Sequence, residues 1–491
     1  MLLLLAIEAT YVFIITAGTF TTWSTWNTNY DLIAEGFRAG HLYIPVAPPA
    51  ELLAKPNPFD WSNSSLWFLD ATLYGGHYYL YWGPLPALLL LGVKVLFRIH
   101  SVVGDQYLLF GFYTLFLVAG ALLIERTTRR LFPELPPRFS LLATVVFAYA
   151  TPTPFMLATP GIYEAAIAAA QSFLLLGLLP AFDAVWAASE SPPRRSLLLA
   201  AGCCWMGAIA CRVSAVLPAA AFVLLTAAFS STRPANRWRR AAASATWMSA
   251  PIAAGVFALG AYNKARFDSW FEIGIKYQLN VFPFVTSRAY LPLNLFSYLF
   301  RPVGTHCRFP FVSALYDIGE HGFPHGMRFP PGYSTHEPQA GLLVAAPWIS
   351  LGLVALFFIG RGIVCWWRPD TRLPVMSHQR RRTTVWCVAS FLALATLMPL
   401  VFITALTTTM RYLADISTGA TLLAVWGGWS LLCAVHGRWP RRGVIVLLIV
   451  LAAATVVIGL LLGFQGYDEM FKQHNPDLYE RLRRRLSFCG P

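Results

Sequence analysis

A few charged side chains in this sequence are placed where they could do chemistry. The stretch 29-NYDLIAEGFRAGHLYIP-45, read at helical spacing, puts Asp31, Glu35 and Arg38 on one face and Leu32, Ile33, Gly36 and Phe37 on the other, which predicts a helix at the membrane surface with its apolar face in lipid. Asp60 and Asp70 follow among aromatic residues, in FDWSNSSLWFLD and LYGGHYYLYWGPLP. A carboxylate held partly out of water in such surroundings has its pKa raised, which suits a general base. Glu164, in 159-TPGIYEAAIAAA-170, stands where an apolar run begins. It needs a polar cavity or a partner there, or it is a helix-start carboxylate favoured by the macrodipole. Arg212, between AIAC and VSAV, pairs with Glu164 or reaches for headgroups. In 407-TTTMRYLADIST-418, Arg411 and Asp415 stand at i and i+4 and can form a local ion pair. Otherwise Arg411 offers a planar fork to a lipid phosphate at the membrane edge. Lys264, Arg266 and Lys276, in 262-YNKARFDSWFEIGIKYQLN-280, add cations at a comparable level, fit to bind an anion or to anchor on anionic headgroups.

The elements that must position these groups are membrane spans. Of 491 residues 57% are hydrophobic and only 12% charged, too apolar for an ordinary soluble globule. Runs of about 20 apolar residues predict eleven spans: 2–22, 106–124, 139–155, 162–182, 196–211, 213–229, 243–262, 340–360, 386–407, 413–435 and 444–464. The first lacks a basic n-region and a cleavage site and reads as a retained span. The turns ERTTRRLFPELPPR, SESPPRR, STRPANRWRR, RGIVCWWRPDTRLPVMSHQRRR and HGRWPRR hold 19 of the 37 Lys and Arg residues. By the positive-inside rule they are cytoplasmic, and the long loops 23–105 and 262–339 lie outside. The net charge of +14 therefore reports topology and not a nucleic-acid footprint.

The short run 87–97 lies on the outer surface in this reading, with Lys94 and Arg98 reaching the headgroups. Residues 1–464 form one membrane domain, and 465–491 an amphipathic tail with Leu478, Leu482 and Leu486 on one face. Cys365 is cytoplasmic and five other cysteines sit in spans, leaving Cys307 and Cys489 as the outward pair able to form a disulfide. No glycine-rich phosphate loop, zinc spacing or large cytoplasmic segment is present, which argues against nucleotide chemistry.

The order of these features resembles the GT-C superfamily of membrane glycosyltransferases, which use polyprenyl-phosphate sugars. The similar stretches are YDLIAEGFRAGHLYI, LDATLYGGHYYLYWGPLPALLLL, PGIYEAAIAAA, YNKARFDSWFEIGIKYQL and MRYLADIST, and the likeness is greatest to a bacterial branch related to protein mannosyltransferases and lipopolysaccharide sugar transferases. The resemblance implies an all-α polytopic bundle of about eleven transmembrane helices with juxtamembrane helices on the outer side of a bacterial inner membrane. It implies an inverting transfer of sugar from a polyprenyl-phosphate donor to an extracytoplasmic glycan, lipid or protein acceptor, without metal or other cofactor. Asp31, by position, then Asp70 and Glu164 compete as base. Arg411 with Arg212, Arg266 and Lys276 would hold the lipid phosphate, and Tyr30, Tyr81, Trp82 and Tyr412 the sugar or acceptor. These rings equally suit an interfacial aromatic belt. The family's outer loop carries an acidic pair just before its tyrosine, whereas here Trp26, Asn27 and Asn29 precede Tyr30 and Asp31 follows it. A transporter or flippase for an anionic lipid or sugar, with Glu8 as its intramembrane acid, and a noncatalytic partner in envelope glycan assembly are the alternatives.

Overall fold

The computed structural model describes residues 1–491 except 25–26, 151, 189–192, 231–235, 281–284, 317, 332, 334–336, 368–376, 468 and 490–491, with backbone alone at 321 and 361–367. Trp26, the side chain of Cys365 and parts of three basic turns thus lie outside the described residues.

The chain folds as a helical bundle, and the described strands form two short antiparallel hairpins. Among the described residues, six helices are long and apolar enough to cross a membrane: Asp105–Leu131, Ile162–Ala187, Arg237–Phe267, His378–Val401, Met410–Ala434 and Arg438–Gly463. Shorter apolar helices cover Leu2–Ile15, Leu85–Phe97, Arg138–Tyr149, Arg195–Cys211, Val213–Phe229 and Pro347–Gly360. Each of the eleven expected spans meets one of these, and the twelfth is the run expected to lie on the surface. Three spans are shorter than expected, the eighth because it begins only at Pro347. The first ends at Ile15, where Thr16 caps it and Ala17 and Gly18 turn into the left-handed region. The third ends at Tyr149, ahead of Pro152 and a separate short helix, Thr153–Leu157.

Ile162–Ala187 is the central element. It is buried along most of its length, packed by Asp105–Leu131 on one side and Arg195–Cys211 on another. Helices pack closely in such bundles through small residues, because lipid supplies no hydrophobic drive for their association. At Gly427, in Leu413–Ala434, a Cβ would lie 2.0 Å from the Leu351 carbonyl oxygen.

The two long loops gather at one end of the bundle. In the first, Thr72–Tyr74 pairs with His77–Tyr79 around Gly75 and Gly76, both at positive φ as a two-residue hairpin turn requires. The residues just before this hairpin are stitched to the second loop: Asp70 N–H donates to the Leu279 carbonyl at 2.9 Å and Leu279 N–H to the Ala71 carbonyl at 2.8 Å. The C-terminal helix Pro476–Leu486 folds back on this end, where Asn475 Nδ2 donates to the Ala17 carbonyl at 2.9 Å. The Cys307–Cys489 disulfide is formed and ties the tail to the second loop.

Two expectations near the first loop need correction. The helix Asn29–Arg38 does not leave its apolar face in lipid: Ile33, Ala34 and Gly36 are buried in the core. Lys94 does not reach headgroups either. It is 1% exposed and its Nζ lies 2.6 Å from both Asp31 and Glu35, tying Leu85–Phe97 to Asn29–Arg38. An ammonium so deeply covered needs a counter-charge more than an apolar stem needs lipid. The other flank of Leu85–Phe97 does stay uncovered, at Val93, Leu96 and Phe97.

Gly427→Ala is expected to destabilise the bundle by about 1–3 kcal/mol through overpacking, read as a lower melting temperature in detergent. Gly111→Ala, where nothing lies within 4 Å of the new Cβ, should not lower melting. Equal melting of the two variants would contradict this helix contact.

Candidate active site

A cavity of about 800 Å³ opens at the loop-rich end of the bundle. Its charged lining comes from five separate places: Asp70 from the first loop, Glu164 from the first turn of Ile162–Ala187, Arg212 from the turn after Cys211, Glu337 from the second loop, and Arg411 just ahead of Leu413–Ala434. Tyr163, Gln278, Asn280, Tyr412 and Tyr467 add polar groups to apolar walls such as Ile162 and Leu217.

The two arginines are clamped by different partners. Arg212 Nη1 donates to both oxygens of Asp415, at 2.7 and 2.8 Å, and Gln171 Nε2 adds a third bond to Asp415 at 3.2 Å. Asp415 is fully buried, and the Arg212 guanidinium lies 4.6 Å from the Phe402 ring centroid. Arg411 pairs with Glu337 in close contact, and its Nη1 lies 3.6 Å from Glu164 Oε1. Its guanidinium also covers the Tyr163 ring, 4.2 Å from the centroid. Neither expected pairing forms: Arg411 does not bridge to Asp415, nor Arg212 to Glu164. The reason is local backbone. Met410–Tyr412 is a 3-10 turn and the α-helix starts only at Leu413, so Arg411 leaves the face that Asp415 occupies.

Asp70 carries the most informative carboxylate. It sits at φ +65°, a left-handed conformation costly for a residue with a Cβ and sustained here by the seam between the loops. Its Oδ1 accepts a bond of 2.7 Å from the Tyr163 hydroxyl. That hydroxyl in turn accepts from Gln278 at 2.9 Å and Asn280 at 3.2 Å. Burial pushes the Asp70 carboxyl above the usual carboxylate range, against the opposing pull of the Tyr163 bond and the Arg411 charge.

Of the residues expected at the site, Asp70, Glu164, Arg212, Arg411, Tyr81, Trp82 and Tyr412 line this cavity. Trp82 meets Tyr163 edge-on at 4.6 Å and Tyr412 stacks on Phe402 at 4.1 Å. Asp31, Tyr30, Arg266 and Lys276 are not among its lining residues. Asp31 is neutralised by Lys94, so its face turns to a salt bridge and not to the cavity. Tyr30 is buried in the core. Arg266 donates to the Leu80 carbonyl at 2.6 Å and to Asn263 at 2.8 Å. Lys276 is an exposed partner of Glu272 at 2.8 Å. Sequence reasoning missed Glu337, Tyr163, Gln278, Asn280 and Tyr467. Tyr163 adjoins Glu164 in a motif already singled out, whereas Glu337 lies in a loop without periodicity and left no signal. Among the described residues no three His, Cys, Asp or Glu side chains gather so as to hold a metal ion.

No protein-family model and no curated protein matches the chain. Among solved structures, 94% of the chain aligns with 55% of the archaeal oligosaccharyltransferase AglB from Archaeoglobus fulgidus in complex with an inhibitory peptide and a dolichol-phosphate, at 12% identity and a TM-score of 0.45. The apo form of the Archaeoglobus fulgidus oligosaccharyltransferase aligns over 100% of this chain and 60% of its own, at 13% identity and a TM-score of 0.46. ArnT from Cupriavidus metallidurans bound to undecaprenyl phosphate aligns over 96% and 77%, at 12% identity and a TM-score of 0.41. The chain thus spans little more than half the length of the archaeal enzymes. At such identities and scores the chemistry of the cavity itself has to supply the functional reading.

Arg212→Met leaves Asp415 buried without its cation, an expected loss of about 3–5 kcal/mol. Adding Asp415→Leu should recover most of it, measured by melting in detergent. An Arg212→Met protein as stable as wild type would refute the clamp.

Proposed function

We propose that this protein transfers a sugar from a polyprenyl-phosphate donor to an extracytoplasmic acceptor with inversion, on the outer face of the inner membrane. One observation carries the reading: a carboxylate of raised pKa and a guanidinium line the same cavity, on either side of a single tyrosine. Tyr163 donates to Asp70 with its hydroxyl and carries Arg411 on its ring. An inverting displacement needs a base for the attacking hydroxyl and a stabiliser for the departing anion on the other side of the anomeric carbon.

In this mechanism Asp70 accepts the proton of the acceptor hydroxyl as that oxygen bonds to the anomeric carbon. The bond from that carbon to the lipid phosphate breaks, and the phosphate keeps the electron pair. Arg411, backed by Arg212, stabilises the negative charge that forms. Tyr81, Trp82 and Tyr412 supply apolar faces for sugar rings, and Gln278 and Asn280 supply amides for hydroxyl groups. Glu164 is held against Arg411 and supports the phosphate seat better than it serves as base. Asp31, held by Lys94, yields the role of base to Asp70. The likeness of the quoted motifs to GT-C enzymes supports the same reading. A lipid phosphate as leaving group also suits an enzyme that works outside the cell, where nucleotide sugars are not supplied.

Native mass spectrometry of the purified protein with undecaprenyl phosphate is expected to show specific binding that Arg411→Ala abolishes and Asp70→Asn keeps. No specific binding by wild type would refute the donor assignment.

With a polyprenyl-phosphate sugar that turns over, Asp70→Asn is expected to lose transfer by at least about 100-fold. A base must be deprotonated, so activity falls as pH drops through its pKa. Because the Asp70 pKa is raised, the acidic limb of kcat/KM should lie above the ordinary aspartate value of about 3.9. Tyr163→Phe keeps the ring under Arg411 but removes the bond that lowers this pKa, so the limb should move further up. A limb unmoved by Tyr163→Phe would exclude Asp70 as the base.

A further inference from the structure

The cavity holds an excess of negative charge. Among the described residues, Asp70, Glu164 and Glu337 line it against Arg212 and Arg411, and Asp415 stands behind Arg212. Four carboxylates thus face two guanidinium groups. A phosphate entering this set meets like charge in a site walled by apolar side chains, where repulsion is poorly screened. At least one carboxylate must withdraw or take up a proton before the anion can reach an arginine.

The carboxylates differ in how firmly they are held. Asp415 is fully buried under three hydrogen bonds. Glu164 is fixed in the first turn of a helix, with a side chain 3% exposed. Asp70 is anchored by Tyr163 and by the backbone seam between the loops. Glu337 stands on irregular chain, its side chain is 26% exposed, and its Oε2 is buried without a hydrogen-bond partner. It meets Arg411 through one oxygen on Nη2, the edge of the guanidinium left open by Glu164 on Nη1.

We propose that Glu337 is a resident stand-in for the lipid phosphate: its carboxylate occupies the anion seat on Arg411 and is displaced when the phosphate binds. This deepens the sugar-transfer reading and rests on it. The device keeps Arg411 neutralised and in place while no donor is bound. It also makes the second loop, which carries Glu337, Gln278 and Asn280, responsive to occupancy of the phosphate seat. A carboxylate is the natural occupant of a fork that also fits a phosphate, since both accept paired N–H bonds.

The test is undecaprenyl phosphate binding, titrated by native mass spectrometry on the full chain, for wild type, Glu337→Gln and Glu337→Ala, with melting temperatures recorded to confirm folding. Removing the competing charge should tighten binding about tenfold or more in either variant, and adding Arg411→Ala to Glu337→Gln should abolish the gain. Wild-type binding that is unchanged or weakened in both folded variants overturns the stand-in role and leaves the donor assignment intact. A gain that survives Arg411→Ala also overturns it. Absence of binding in wild type and both variants overturns the stand-in and the donor assignment together.

Discussion

A charge cannot remain among the apolar ends of packed helices without a counter-charge, and this constraint organises the loop-rich end of the molecule. Arg212 and Asp415 are 203 residues apart, yet their ion pair closes the first half of the bundle onto the second. Seating Asp415 on Arg212 fixes the start of Leu413–Ala434. The 3-10 turn that precedes it then points Arg411 the other way, toward Glu164 and Glu337. Glu164 and Asp415 each sit in the first turn of a helix, where the macrodipole favours an anion. The same carboxylates also decide where the cations go.

The loops complete what the helices begin. The hairpin around Gly75 and Gly76 and the seam at Leu279 hold Asp70 in a conformation that it would not adopt alone. Tyr163 then links this carboxylate to the cation on its ring. The proposed base and the proposed anion seat are therefore not independent: both depend on the first turn of Ile162–Ala187, the most deeply buried of the long helices. The Cys307–Cys489 disulfide works at the edge of the same assembly. It ties down a tail whose Gln465 bonds to the backbone of Ala314 and whose Tyr467 hydroxyl accepts from the Arg411 N–H.

Much of the architecture was legible because apolar length is a physical requirement of a bilayer. Every expected span met a helix, and the run at 87–97 is a helix too, Leu85–Phe97, as long as some of the shorter expected spans. Helix ends were less legible: the stops at Ile15 and Tyr149 depend on left-handed turns and a proline that hydrophobicity does not register. At the site, Asp70, Glu164, Arg212 and Arg411 were identifiable as charges in unlikely surroundings. Their pairing was not, since it depends on contacts between residues far apart in sequence and on a 3-10 turn that spoils i, i+4 spacing. Asp31 and Lys94 illustrate the same gap. Each looked surface-directed on its own short helix, and only the packing of the two helices shows that they neutralise each other. Glu337 had no periodic context at all.

The most direct measurement is an experimental structure of the protein with a polyprenyl phosphate bound. The phosphate oxygens should lie about 2.7–2.9 Å from the Arg411 guanidinium, with Glu337 withdrawn and Asp70 facing the same space. Lipid phosphate bound elsewhere, for example in the 580 Å³ cavity beside Lys472 and Arg483, with Arg411 still paired to Glu337, would contradict it.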